Sequence, residues 1–163
     1  MLNRYAFAAI LIATTCFGQE KPPEEPAKFY KLEFVVKQVS DGKVTNSRTY
    51  TTSAKSGPRG GGSIRTGDKV PVETGPSAQF TYVDVGVNID IGSIAQAGSE
   101  IALHVTADIS STDNGSGSHP IIRQTRWSSD VIVPLRKPTI LFTSDAVASK
   151  SQMQLELTAT PLQ

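Results

Sequence analysis

The chain has 163 residues, with 16 Lys and Arg against 15 Asp and Glu, two histidines and one cysteine, which is the size of a single domain. A charge balance this even leaves no electrostatic footprint for nucleic acid or an anionic membrane surface. One cysteine cannot form an intrachain disulfide, and 38% hydrophobic residues are enough for a chain of this length to build a core without metal or disulfide staples.

Residues 1–18 read as an export signal. Arg4 supplies the positive start, AFAAILIA over residues 6–13 the apolar centre, and Cys16-Phe17-Gly18 a small-residue cleavage site before Gln19. The apolar run is shorter than the roughly 20 residues that a membrane span needs. An alternative makes Cys16 a lipid-anchored cysteine, but Thr15 before it and Ala13 three back fit that pattern poorly. Cleavage after residue 18 removes the cysteine and Arg4. It leaves 15 basic (16 less one) and 15 acidic residues, a net charge of zero with His neutral. The expected location is outside the cytoplasm, in the periplasm or cell envelope.

Residues 19–27, QEKPPEEPA, hold three prolines and three glutamates, too little apolar surface to offset ordering, so they are expected to be a flexible tether. Residues 28–163 are then one β domain. Within 29–39, Tyr30, Leu32, Phe34 and Val36 alternate with polar neighbours, the period of a strand with one buried face. Asp41-Gly42 follows, the favoured two-residue hairpin turn, and then a threonine-rich run over 44–54 suited to a solvated or edge strand. SGPRGGGS at 56–63 is a loop by composition. A short strand at 64–66 is expected to turn at Gly67-Asp68 and resume at 69–72, where Pro71 calls for an edge or strand end.

The centre of the chain is 80–109. Val83, Val85, Val87, Ile89 and Ile91 occupy one face, with Tyr82, Asp84, Gly86, Asn88 and Asp90 on the other. After a loop, Ile101, Leu103, Val105, Ala107 and Ile109 alternate in the same way. Two such strands need more sheet or a second layer to be stable. A polar loop at 110–119 precedes a strand at 120–133, with Trp127, Val131 and Val133 on one face and Ile122, Arg126 and Ile132 on the other. TILFT at 139–143, apolar on both sides, reads as a covered strand. Residues 152–160 set Met153, Leu155, Leu157 and Ala159 against Gln154, Glu156 and Thr158. No segment after the leader shows a helical stripe, so the expected class is all-β, a mainly antiparallel sheet or sandwich of about eight strands.

The order of short motifs resembles the secretin family, the ring-forming outer-membrane channel proteins of type II and III secretion and type IV pilus systems. Gly67-Asp68-Lys69-Val70-Pro71-Val72 is similar to the family's G-x-x-V-P-V run. Tyr82-Val83-Asp84-Val85-Gly86-Val87-Asn88-Ile89-Asp90-Ile91 is similar to its Y-x-D-V-G-V-x-L-x-V strand. The long strand 101–111, the proline-led PIIRQTR at 120–126 and LELTATP at 155–161 follow in the family's order. The resemblance covers about 47–162. It implies the β core of a secretin, with protein contacts in place of chemistry. Where the family carries Gly-Gly-Leu and a membrane-reaching insert, this chain has Thr143-Ser144-Asp145 and then AVASKS at 146–151. The family's inner gate hairpin is reduced to ETGPSAQ at 73–79, and its periplasmic ring-stacking domains are expected to have no counterpart. The expectation is therefore a secretin-like core without gate, membrane lip or stem, not inserted in the membrane by itself. The alternative is a subunit of a secretin-type channel.

No chemistry-bearing cluster is legible. His104 shares a strand face with Thr106 and Asp108, but residues four apart on a strand are about 13 Å apart, so any partner must come from another strand. His119 lies in a loop, and no spacing suggests a zinc site. GSIRTGDK at 62–69 comes near a phosphate-binding loop, yet Asp68 stands where the lysine is needed and no helix follows. Thr112-Asp113-Asn114-Gly115 lacks the alternating carboxylates of a calcium loop. Asn114-Gly115-Ser116 fits a glycosylation pattern, which carries little in an exported bacterial protein. No serine sits in a nucleophile motif, and Trp127 suits the core. The reading is a non-enzyme with no catalytic, cofactor-binding or metal residues and no nucleic-acid partner. Its partners are expected to be proteins, or copies of itself joined by strand edges into an oligomer.

Overall fold

The computed structural model describes residues 26–74, 79–113, 121–145 and 151–162. The expected export signal, the lipid-anchor alternative at Cys16 and nearly all of the tether lie outside these residues.

Strand β1 (Phe29–Ser40) turns into β2 (Lys43–Lys55) through Asp41 and Gly42, whose φ angles of 48° and 75° give the left-handed pair of a type I′ turn. Then come β3 (Gly62–Glu73), β4 (Phe80–Ala97), β5 (Glu100–Asp113), β6 (Ile121–Pro134), β7 (Thr139–Asp145) and β8 (Ser151–Leu162). They form two four-stranded antiparallel sheets, β2-β1-β8-β7 and β3-β4-β5-β6. The protein is all-β. The first and last strands pair over their whole lengths, from Phe29↔Leu162 to Ser40↔Ser151.

The two sheets bury their apolar faces against each other in one cluster. Tyr30, Leu32 and Phe34 of β1, with Leu155, Leu157 and Ala159 of β8, meet Val87, Ile89 and Ile91 of β4 and the β5 set from Ile101 to Ile109. These are the residues that the period-2 pattern assigns to the inside. Each large aliphatic side chain moved out of water contributes about 1.5–3 kcal/mol. Directional contacts between described side chains also join the sheets. The Tyr30 hydroxyl, fully buried, donates to Gln96 Oε1 at 2.7 Å, and burial raises its pKa above the ordinary phenol value. Trp127 stacks on Phe142 with ring centroids 5.1 Å apart, so the single tryptophan belongs to the interior face.

Three expectations are corrected. Gly67-Asp68 is not a turn. β3 runs through it without a break, because twelve consecutive pairs with β4, from Gly62↔Ile91 to Glu73↔Phe80, override the local composition. The loop before Ile101 shrinks to Gly98-Ser99. Gly92 and Ser93 are absorbed in a bulge, in which β4 advances from Ile91 to Ile94 while β5 steps only from Val105 to Leu103. The extra residue re-phases the strand, so Ile94 points inward again. Finally, β7 is not covered. It is an edge strand with Ile140 54% exposed. Pro71 lies on the edge strand β3, where its missing N–H costs no ladder bond with a second neighbour.

Candidate interaction surface

An antiparallel sheet that ends in solvent presents unpaired N–H and C=O groups along its outer strands. Here those strands are β2 and β7 in one sheet, β3 and β6 in the other. β2 is threonine-rich and exposed over most of its length, with Lys43, Arg48 and Lys55 along it, the type of edge that resists uncontrolled pairing.

The outer face of the β3-β4-β5-β6 sheet carries most of the polar chemistry. Its alternate positions bring Arg65, Asn88, Asp108 and Arg126 into one cross-strand row. Arg65 pairs with Asp90 at 2.5 Å, and Arg126 with Asp108 at 2.7 Å. Asp108 also accepts two hydrogen bonds from the Gln124 amide, at 2.8 and 2.9 Å. Desolvation pushes its carboxyl pKa up, but the hydrogen bonds from Gln124 and Arg126 and the Arg126 charge outweigh this. The net shift is downward. Arg65, Asn88, Asp90, Thr106, Asp108 and Arg126 line a shallow depression of about 500 Å³ on the sheet.

His104 does find its partner on another strand. Its Nδ1 lies 2.9 Å from Asp130 Oδ1 on β6, and its Nε2 lies 3.2 Å from Ser128 Oγ and 3.4 Å from Thr106 Oγ1. The order Asp–His–Ser is that of a nucleophilic triad, but the surroundings are not. Asp130 is 91% exposed, Ser128 also shares a 2.8 Å hydrogen bond with Thr106, and the depression beside them includes neither His104, Ser128 nor Asp130 among its lining residues. With Asp130 open to solvent, the relay is a solvated cross-strand zipper between β5 and β6. The alternation already placed His104, Thr106 and Asp108 on one face. The sequence places Arg126 only on one face of its strand and singles out neither Asp130 nor Ser128, because only the β5–β6 register, His104↔Asp130 and Asp108↔Arg126, puts them opposite.

The remaining sequence candidates resolve simply. GSIRTGDK is part of β3, so no phosphate loop exists there. Thr112 and Asp113 end β5, while His119 and Asn114-Gly115-Ser116 fall outside the described residues. Among the described residues no three His, Cys, Asp or Glu converge in a metal-binding group. No described helix is long and apolar enough to cross a membrane.

The described residues thus make two antiparallel sheets, each with two edge strands. The particular fold is secretin-like. The type II secretin GspD from enteropathogenic Escherichia coli superposes with a TM-score of 0.50 at 10% identity, covering 84% of this chain and 66% of that one. The Salmonella SPI-1 type III secretion injectisome secretin InvG matches with a TM-score of 0.49, 9% identity, and coverage of 84% and 64%. PulD, in the Klebsiella pneumoniae type II secretion system outer membrane complex with PulS and the PulC HR domain, matches at 0.46 and 9%, with coverage of 84% and 39%. The chain thus spans less than two thirds of the length of these secretins. No protein-family model matches it, and no curated protein does.

Proposed function

We propose that this chain is an exported, non-enzymatic β domain that acts through protein–protein contacts at the bacterial cell envelope. The observation that carries the reading is the pairing of a secretin-like fold with four solvent-facing edge strands, β2, β7, β3 and β6. Strand edges recognise other strands by main-chain hydrogen bonds, with side-chain pockets giving specificity. The polar outer face between β3 and β6 supports the same reading. The Arg65–Asp90 pair is exposed and contributes little to stability, and with the half-buried Asp108 and its Arg126 partner it makes a charged surface between two edge strands.

A second reading makes the chain a subunit of a secretin-type channel. It is favoured by one feature: β3 and β6 are the two free edges of a single sheet, so copies could continue that sheet from one subunit to the next. Light scattering on the purified domain, with and without liposomes loaded with dye, separates the two. A soluble species of one or a few copies that leaves liposomes sealed supports the first reading. A ring of a dozen or so subunits, or dye release at micromolar protein, establishes the second.

A further inference from the structure

The outer face of the β3-β4-β5-β6 sheet has the profile of a trough. In its middle row the long side chains Arg65 and Arg126 stand on the outer strands, and the short ones, Asn88 and Asp108, lie between them. Strands spaced by about 4.8 Å set the two arginines roughly 14 Å apart at the backbone. Asn88 and Asp108 are half-buried at the floor, while Arg65 and Arg126 are exposed at the rims. Next along β4 comes Gly86, opposite Gly67, so the floor continues as bare backbone. The depression of about 500 Å³ therefore runs into a second of about 280 Å³, and the two share Arg65 and Asn88. On the same face, beyond the exposed Lys69–Asp84 pair, Tyr82 lies 65% exposed opposite Pro71. At the rise of a strand, Tyr82 is about 20 Å from Asn88, the length of a short oligosaccharide.

The polar groups of the trough hold one another in place. Arg65 Nη1 donates to the Ile64 and Ile89 carbonyls at 2.9 and 3.2 Å, and its Nη2 donates to Asp90. Arg126 donates to Asp108 Oδ2 through Nε and Nη2 at 3.2 and 2.7 Å, and the Gln124 amide bridges both Asp108 oxygens. Planar groups fixed in this way lose little freedom when a ligand binds. Asn88 is different. Among the described residues nothing bonds its side-chain amide, so a half-buried group that can both donate and accept sits unpartnered at the centre of the floor.

Charge narrows the ligand. Two arginines balance two aspartates in the lining, so the trough gives a polyanionic strand or a strongly charged peptide no net attraction. It offers donors and acceptors side by side, which suits a neutral polymer rich in hydroxyls. The Asn88 amide adds a finer match, because it can accept from the N–H of an acetamido group or donate to its carbonyl. Tyr82, with a flat apolar face and a polar tip, suits the C–H face of a pyranose ring.

We propose that this trough binds a β-linked N-acetylhexosamine chain, the glycan strand of murein. Asn88 reads an acetamido group, the Arg65–Asp90 and Arg126–Asp108 pairs bond hydroxyls, and Tyr82 carries a sugar ring at the far end. The trough opens along the normal of the sheet, whereas the strand edges lie in its plane, so a glycan on the face and a protein on an edge do not compete. Murein as the source rests on the export proposed above; the chemistry of the trough does not.

The test titrates chitotetraose, an uncharged oligomer of β-linked N-acetylglucosamine, into the purified, isotopically labelled protein and follows amide shifts by NMR. Cellotetraose, which lacks the acetamido groups, and polygalacturonate, an anionic chain, serve as comparisons. A shallow open site gives weak binding, with Kd of roughly 0.1–1 mM. The Asn88 side-chain amide and the backbone amides of Gly67 and Gly86 should shift, while those of Leu32 and Leu157 in the other sheet stay still. Asn88→Asp, which keeps the shape and loses the amide donor, should weaken binding about tenfold, and Tyr82→Ala, at an exposed position, about fivefold. Raising the salt several-fold should change Kd by less than about twofold. Spectra that do not respond to chitotetraose, equal binding of cellotetraose, preference for polygalacturonate, or parental affinity in both variants overturns the proposal. So does an affinity that collapses with salt, the behaviour of a charged protein on the same face. Purified murein sacculi should carry the protein down on centrifugation and release it to excess chitotetraose. Chitotetraose binding without co-sedimentation overturns murein as the source, whereas protein from the native host that retains its leader would overturn export and leave the trough's binding intact.

Discussion

Val87 is the sharpest place to test whether the two-face reading of the central strand is physically right. It is 5% exposed, lies between Thr66 of β3 and Ile109 of β5, and faces the opposite sheet. Val87→Asp removes an aliphatic side chain whose burial contributes about 1.5 kcal/mol. It puts in its place a carboxyl group with no partner, at a further cost of about 2–3 kcal/mol even in its neutral form. The expected loss is about 4 kcal/mol at neutral pH. For a domain of this size each kcal/mol moves Tm by roughly 3 °C, so the shift is about 12 °C. The carboxyl at this site has its folded-state pKa raised by burial. It therefore penalises folding least below the unfolded-state value near 3.9, and the penalty grows as pH rises towards the folded-state value. The deficit relative to the parent should accordingly shrink between pH 7 and pH 4. Asn88→Asp, one residue away on the half-buried polar face in the row of Arg65, should change stability by no more than about 0.5 kcal/mol. Urea and thermal unfolding followed by circular dichroism at both pH values measures all of this. Equal losses in the two variants, or a Val87→Asp deficit that grows on acidification, would falsify the assignment of faces.

Gly86→Ala should cost about 2 kcal/mol or more, because its Cβ would overlap the Thr66 carbonyl and the backbone must move; a neutral result in denaturant melts would mean that β3 and β4 are farther apart than described. Trp127→Ala removes the stack on Phe142 and should cost about 3 kcal/mol, while the parent's tryptophan emission should be that of a partly shielded ring and red-shift on unfolding. Asp108 has its folded-state pKa depressed, so it contributes stability above the unfolded-state pKa that is lost as pH falls through the lower folded value; Asp108→Asn should flatten that acid limb of the stability curve, and an unchanged limb would show that Gln124 and Arg126 do not hold the carboxylate. Mass spectrometry of protein from the native host should find an N-terminus near Gln19 without lipid, and a diacylated Cys16 would replace that processing with a membrane anchor.

The sequence by itself determined the strands and their faces, because a period of two is a local property that survives without knowledge of the partners. Tyr30 to Phe34, Val87 to Ile91, Ile101 to Ile109 and Leu155 to Ala159 are all inside where alternation puts them, and Asp41-Gly42 makes the turn its backbone preferences demand. Local composition misled where long-range pairing was stronger. Gly67-Asp68 would turn in isolation, but twelve paired residues on β4 hold it straight, and the apolar strand β7 reads as covered although only one side of it is paired. Which strands become neighbours is a matter of the whole chain. The pairing of β1 with β8, more than a hundred residues away, leaves no mark in either segment. The same holds for the outer face: His104 and Asp108 were visible as a stripe, but their partners Asp130 and Arg126 exist only once β5 and β6 take their register.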